Sequence, residues 1–75
     1  MLIIGESLNA AIPKVGQAVV TRDGEALAAL ARRQVKCGAQ MLDVNAGGLA
    51  GRDEAADLTW MIEMVQEAVE VPLVL

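Results

Sequence analysis

The sequence has no histidine, phenylalanine or tyrosine, and only one cysteine and one tryptophan in 75 residues. Without histidine, and with a lone thiol, there is no donor set for a zinc cluster. The single Cys37 also excludes an internal disulfide, which fits a reducing compartment. Aromatic residues make up 1% of the chain against 55% hydrophobic residues. Any core must therefore be built from Ala, Val, Leu, Ile and Met, the composition of a helix-covered parallel sheet rather than of a disordered chain. A basic cluster is missing as well. The formal charge is −4, and Arg32, Arg33 and Lys36 simply share one helix, which argues against a nucleic-acid or acidic-membrane surface. No apolar run approaches the roughly 20 residues of a membrane span, and Met1-Leu2-Ile3-Ile4 is interrupted at once by Gly5-Glu6, far short of a signal peptide. The expectation is a cytoplasmic chain that handles a small ligand.

What is present is a βα rhythm. Leu-Ile-Ile in residues 2–5 predicts a buried strand, with Gly5 permitting a sharp exit. Pro13 suits a first helical turn, so residues 13–20 are expected to form a short helix. Asp23 is a good N-cap for a helix over 24–37, where Leu27, Leu30, Ala31 and Val35 form one stripe and Gly38 is the left-handed stop. Residues 40–45 predict a second strand, with Met41, Asp43 and Asn45 on one face and Leu42 and Val44 on the other. Asp53 caps a helix over 54–69 with an apolar stripe of Leu58, Met61, Ile62, Val65 and Val69, and with Glu63, Glu67 and Glu70 on the wet side. Pro72 separates it from a third strand over 72–75. Right-handed crossovers then imply three adjacent parallel strands in one α/β domain spanning 1–75. The recurrence fits either a (β/α)8 barrel of about 250 residues or a doubly wound sheet. A chain this short buries a modest core, and one stopping inside an apolar strand reads as the opening piece of something larger, unstable as a monomer on its own.

Both architectures deliver chemistry to the carboxyl ends of their strands, and polar residues sit there. Glu6 and Asn9 are expected in the loop just after the first strand, and Asp43 and Asn45 at the end of the second. A carboxylate accepts paired N–H groups and an amide donates and accepts together, which suits a flat heterocycle. The plainer reading makes Glu6 and Asn9 ordinary loop residues and has Asp43 accept backbone N–H bonds from the loop containing Gly47, Gly48 and Gly51. That loop is not a phosphate loop, since no Gly-Lys-Ser/Thr follows, and the dinucleotide spacing is absent. Cys37 lacks a histidine partner and reads as a small buried residue. Trp60 and Met64, an i, i+4 pair off the main stripe, are expected to pack against a neighbouring helix or subunit.

Three segments carry a family resemblance: Ile3-Ile4-Gly5-Glu6-Ser7-Leu8-Asn9, Arg32-Arg33-Gln34 leading to Gly38-Ala39-Gln40-Met41-Leu42-Asp43-Val44-Asn45, and Val71-Pro72-Leu73-Val74-Leu75. Together they resemble the start of the methyltetrahydrofolate:corrinoid methyltransferases. The folate domain of cobalamin-dependent methionine synthase is similar and dihydropteroate synthase more distantly so, all being pterin-binding (β/α)8 barrels. The resemblance implies that the chain holds the first three strands and two long helices of such a barrel. It also implies that Glu6, Asn9, Asp43 and Asn45 line the pterin site, and that no protein metal ligand is needed. Methyltetrahydrofolate would be the methyl donor and a cobalamin or other corrinoid, carried by a separate protein, the acceptor; the complete protein would be a homodimer. N5 leaves poorly unless protonated or strongly hydrogen-bonded, so such a barrel must hold the pterin rigidly and assist proton delivery. The family usually has Arg after the Glu, where this chain has Ser7, and its main pterin-anchoring aspartate would fall just after Leu75. Two rivals stand beside this reading. A dihydropteroate synthase-like enzyme is disfavoured because Asn-x-Thr-x-Asp-Ser-Phe-Ser is missing after the first strand. A non-catalytic α/β module would use the same polar groups only to cap loops.

Overall fold

Three parallel strands, adjacent in their chain order, form one sheet, and three helices cover one of its faces. The structure, a computed structural model, describes residues 1–75. Along the chain the elements are β1 (Ile4–Asn9), α1 (Pro13–Thr21), α2 (Gly24–Lys36), β2 (Met41–Asn45), α3 (Glu54–Ala68) and β3 (Leu73–Val74). The sequential order of parallel strands is the one that right-handed crossovers predict. No helix is long and apolar enough to cross a membrane.

Each helix begins where its chemistry indicates. Pro13 occupies the first turn of α1, where its missing N–H is not needed. Asp23 and Asp53 cap α2 and α3 by accepting the backbone N–H of Ala26 and Ala56, both at 3.1 Å. Gly38, at φ 105°, turns the chain after α2 as a left-handed stop. α2 ends at Lys36, one residue early, with Cys37 as its C-cap. Cys37 is exposed, contrary to the expected buried thiol, because it lies past the stripe of Leu27 and Ala31 that faces the sheet. α3 also stops a residue early. Val69 turns extended (φ −142°, ψ 161°) and leaves the helical stripe, starting the short link toward Pro72.

The first strand is the main correction. Expected over 2–5, it runs from Ile4 to Asn9, so Glu6 and Asn9 belong to the strand and not to a loop after it. The sheet needs Leu8, which is fully buried beside Val44. The ladder reaches it by passing the polar pair Glu6-Ser7 through a register shift between Gly5 and Leu8. Leu2, Ile3 and Ile4, expected to be buried, are 59%, 47% and 43% exposed. They lie at the amino end of an edge strand that has β2 on one side only. At the other edge β3 is shorter than expected, pairing only Leu73 and Val74 with Leu42 and Asp43.

Alternation in β2 holds as expected. Leu42 and Val44 are 0% and 1% exposed on the helix side, while Met41 and Asp43 are half-buried and Asn45 exposed on the other. The core joins Leu8, Leu42 and Val44 to Val15 and Val19 of α1, Leu27 and Ala31 of α2, and Met61 and Val65 of α3. Trp60 and Met64 pack against α2, where a Cβ on Gly24 would come within 2.8 Å of Met64 Sδ. The opposite face of the sheet carries no helix and leaves Ile4 and Val74 43% and 36% exposed.

Candidate functional site

In parallel strands, paired residues show the same face, so register decides which side chains stand together. Asn9 is paired with Asn45, and Asp43 with Val74. Asn9, Asp43 and Asn45 therefore share the uncovered face near the carboxyl ends of β1 and β2. Glu6 lies in the irregular stretch between Gly5 and Leu8 and is exposed. The structure thus gathers three of the four residues singled out from the sequence and leaves Glu6 apart from them, in the bulge.

The two asparagines are held in matching local geometry. Asn9 Oδ1 accepts the backbone N–H of Ala11 at 2.9 Å, and Asn45 Oδ1 accepts that of Gly47 at 2.8 Å. Each is an Asx turn that bends the chain out of its strand. The turns abut. A Cβ on Gly48, whose φ is 92°, would lie 3.1 Å from the Ala11 side chain, and Ala10 N–H donates to Asn45 O at 2.8 Å. With each Oδ1 engaged, the Nδ2 groups of Asn9 and Asn45 have no partner in the chain and remain as donors. Asp43 is half-buried, and its carboxylate likewise accepts no hydrogen bond. The alternative in which Asp43 caps the glycine loop is not realised, because Asn45, two residues nearer, takes the Gly47 N–H. The cluster therefore offers two amide donors and one carboxylate acceptor on one face.

A second polar cluster escaped sequence reasoning. Asp57, 1% exposed in the first turn of α3, receives Arg52 through Nε (3.2 Å) and Nη2 (2.9 Å), and Arg22 Nη2 lies 3.0 Å from its Oδ1. Arg22 also stacks over Trp60, 4.9 Å from the ring centre. The Arg52 hydrogen bonds, with Arg22 adding its charge, hold the Asp57 carboxyl below the usual carboxylate range although burial opposes this; the Arg52 guanidinium is raised in turn. The signal was present in the sequence. Asp57 falls on the buried stripe four residues before Met61 and eight before Val65, where a carboxylate must find a cation. Its lone pairs are taken up by those arginines, so the cluster is a clamp tying the end of α1 to the start of α3.

The largest surface hollow lies between the carboxyl-terminal halves of α2 and α3, lined by Arg32, Val35, Lys36, Gln66, Glu67 and Val71 among others. It is at the opposite end of the strands from Asn9 and Asn45 and holds mixed charges, so it does not belong to the carboxylate-amide cluster.

No family model matches the chain. Over 73 residues, 97% of its length, the chain is 47% identical to a methylcorrinoid:tetrahydrofolate methyltransferase of Eubacterium limosum. It spans 27% of that protein. The family resemblance carried by the sequence motifs is borne out by this similarity, and the chain fits an amino-terminal fragment of that family.

Proposed function

We propose that this chain forms the first part of a pterin-binding (β/α)8 barrel that transfers a methyl group between N5 of a folate and the cobalt of a corrinoid carried by a partner protein. The observation that carries the reading is the set of free hydrogen-bonding groups on the uncovered sheet face: the Asp43 carboxylate beside the Nδ2 groups of Asn9 and Asn45. A pterin ring presents N–H donors next to a carbonyl and ring nitrogens, which is the complement of one carboxylate and two amide donors. Helices on only one side of sequentially ordered parallel strands support the barrel over the doubly wound sheet, because a barrel keeps its other face inward.

The relative's name puts the methyl group on the corrinoid, with tetrahydrofolate as the other substrate. The motif resemblance puts it on the folate. One pterin site serves both directions, since forward and reverse transfer share a transition state. The corrinoid supplies the cobalt chemistry in either case. The residues of this chain contribute binding and orientation: the Asx turns fix Asn9 and Asn45, so little rotamer freedom is lost when their amides engage the ring.

The test is a titration of the complete protein with methyltetrahydrofolate, with thermal melts alongside. Asn9→Ala and Asp43→Ala are each expected to lose affinity while remaining folded. Unchanged affinity in Asn9→Ala removes the pterin assignment for the end of β1.

A further inference from the structure

Strict alternation in β1 would put Ile4, Glu6 and Leu8 on one face and Gly5, Ser7 and Asn9 on the other. The structure does otherwise. Ile4 pairs with Met41 on the uncovered face, whereas Leu8 pairs with Val44 on the helix side and is fully buried. Between Gly5 and Leu8 the strand advances three residues while β2 advances two, from Leu42 to Val44. This extra residue inverts the parity of everything after it. Without the bulge, Leu8 would leave the core and Asn9 would turn into it. The bulge is therefore what sets Asn9 beside Asn45.

One side chain from another element meets the bulge. Gln34 of α2 lays its carboxamide against β1, and its Oε1 accepts the backbone N–H of Ser7 at 3.4 Å, inside the irregular stretch. Gly5 makes room for it, since a Cβ there would collide with Gln34 Oε1 and approach Leu42 Cδ2 to 2.9 Å. The other end of the amide gains nothing, for Nε2 is buried with no partner. An apolar side chain of the same length would fill this space without that desolvation cost, so the acceptor oxygen is what distinguishes glutamine here.

We propose that Gln34 is a positioning residue: it holds the Glu6-Ser7 bulge through the Ser7 N–H and thereby fixes Asn9 in the ligand-facing register. The consequence for ligand affinity rests on the pterin reading above; the device itself does not. The experiment uses the complete protein as wild type, Gln34→Met, Asn9→Ala and the double variant, with Gln34→Glu retaining an acceptor oxygen. Amide hydrogen exchange at Ser7 and the dissociation constant for tetrahydrofolate are both measured. Ser7 exchange is expected to rise about fivefold in Gln34→Met and to stay near wild type in Gln34→Glu. Tetrahydrofolate affinity is expected to fall about tenfold in Gln34→Met, but to fall no further when Asn9→Ala is already present.

Unchanged Ser7 exchange in Gln34→Met overturns the proposal. So does an affinity loss of equal size with and without Asn9, which would make Gln34 a packing residue only. If Gln34→Met does not fold, Gln34→Glu decides, because wild-type exchange supports the acceptor role and Gln34→Met-like unfolding contradicts it. If Asn9→Ala binds tetrahydrofolate as wild type does, the pterin reading fails, and Ser7 exchange alone then judges the device.

Discussion

Asp57 and Asp43 are the same side chain in opposite circumstances. Asp57 is almost wholly buried in the helical layer, yet it meets two arginines in three close contacts. Asp43 is half-buried on the uncovered face of the sheet and meets none. Burial alone would point to Asp57 as the unusual group. Hydrogen-bond satisfaction points to Asp43, because a carboxylate whose acceptor sites are filled from within the chain has nothing left for a ligand. The helical layer uses its charge to hold elements together, and the sheet face keeps its polar groups free.

The contrast breaks most visibly on deletion of the two acids in the complete protein. Asp57→Ala is expected to lower stability by about 3 kcal/mol, since it leaves two arginines around an apolar hole, although their partial exposure lets water reach them. Tetrahydrofolate affinity should be unchanged. Acid sharpens the point. Because the folded pKa of Asp57 lies below its unfolded value of about 4, its stabilisation is fully present above that pH and is lost as pH falls through the folded value. Urea melts of wild type and Asp57→Asn at neutral and acidic pH should therefore converge on acidification.

Asp43→Ala is expected to show the reverse pattern: a loss of about 1–3 kcal/mol in folate binding with a melting temperature close to wild type. A large fall in melting temperature with unchanged binding would make Asp43 structural after all. Asn45→Ala should fall between the two. It removes the Gly47 cap, costing about 1 kcal/mol of stability, together with the free amide donor of the proposed site, so both readouts should move. Thermal melts and folate titrations on the same samples separate the three variants.

The helical frame was legible because its signals are local. Asp23, Asp53, Pro13 and Gly38 each act within a turn of where they stand, and the alternation of Leu42 and Val44 with Met41 and Asp43 is written in consecutive residues. The extent of β1 was not legible. It depends on Leu8 finding Val44 across the sheet and on Gln34 reaching Ser7 over 27 positions of sequence. The candidate residues were legible by residue type, but which of them would turn the chain was not. Asp43 and Asn45 are both good turn acceptors on paper, and only the distance to Gly47 decides that the amide takes the bond. Asp57 was overlooked because the apolar stripe through Leu58 and Met61 accounts for the helix without it, while Arg22 lies 35 positions away across a helix boundary.

The smallest expected effect isolates the weaker arm of the Asp57 clamp. Arg22 ends α1 at φ 55°, a conformation unfavourable for any residue with a Cβ, and holds it while contacting Asp57 and stacking on Trp60. Arg22→Ala keeps the backbone strain and removes both contacts, whereas Arg22→Gly removes both contacts and relieves the strain. Alanine should therefore be the worse replacement by about 1 kcal/mol, the left-handed penalty, even though glycine is the smaller residue. If the two variants melt together, the left-handed cap is not a source of strain. If both match wild type, Arg52 alone satisfies Asp57, and Arg22 with its place over Trp60 is not part of the clamp.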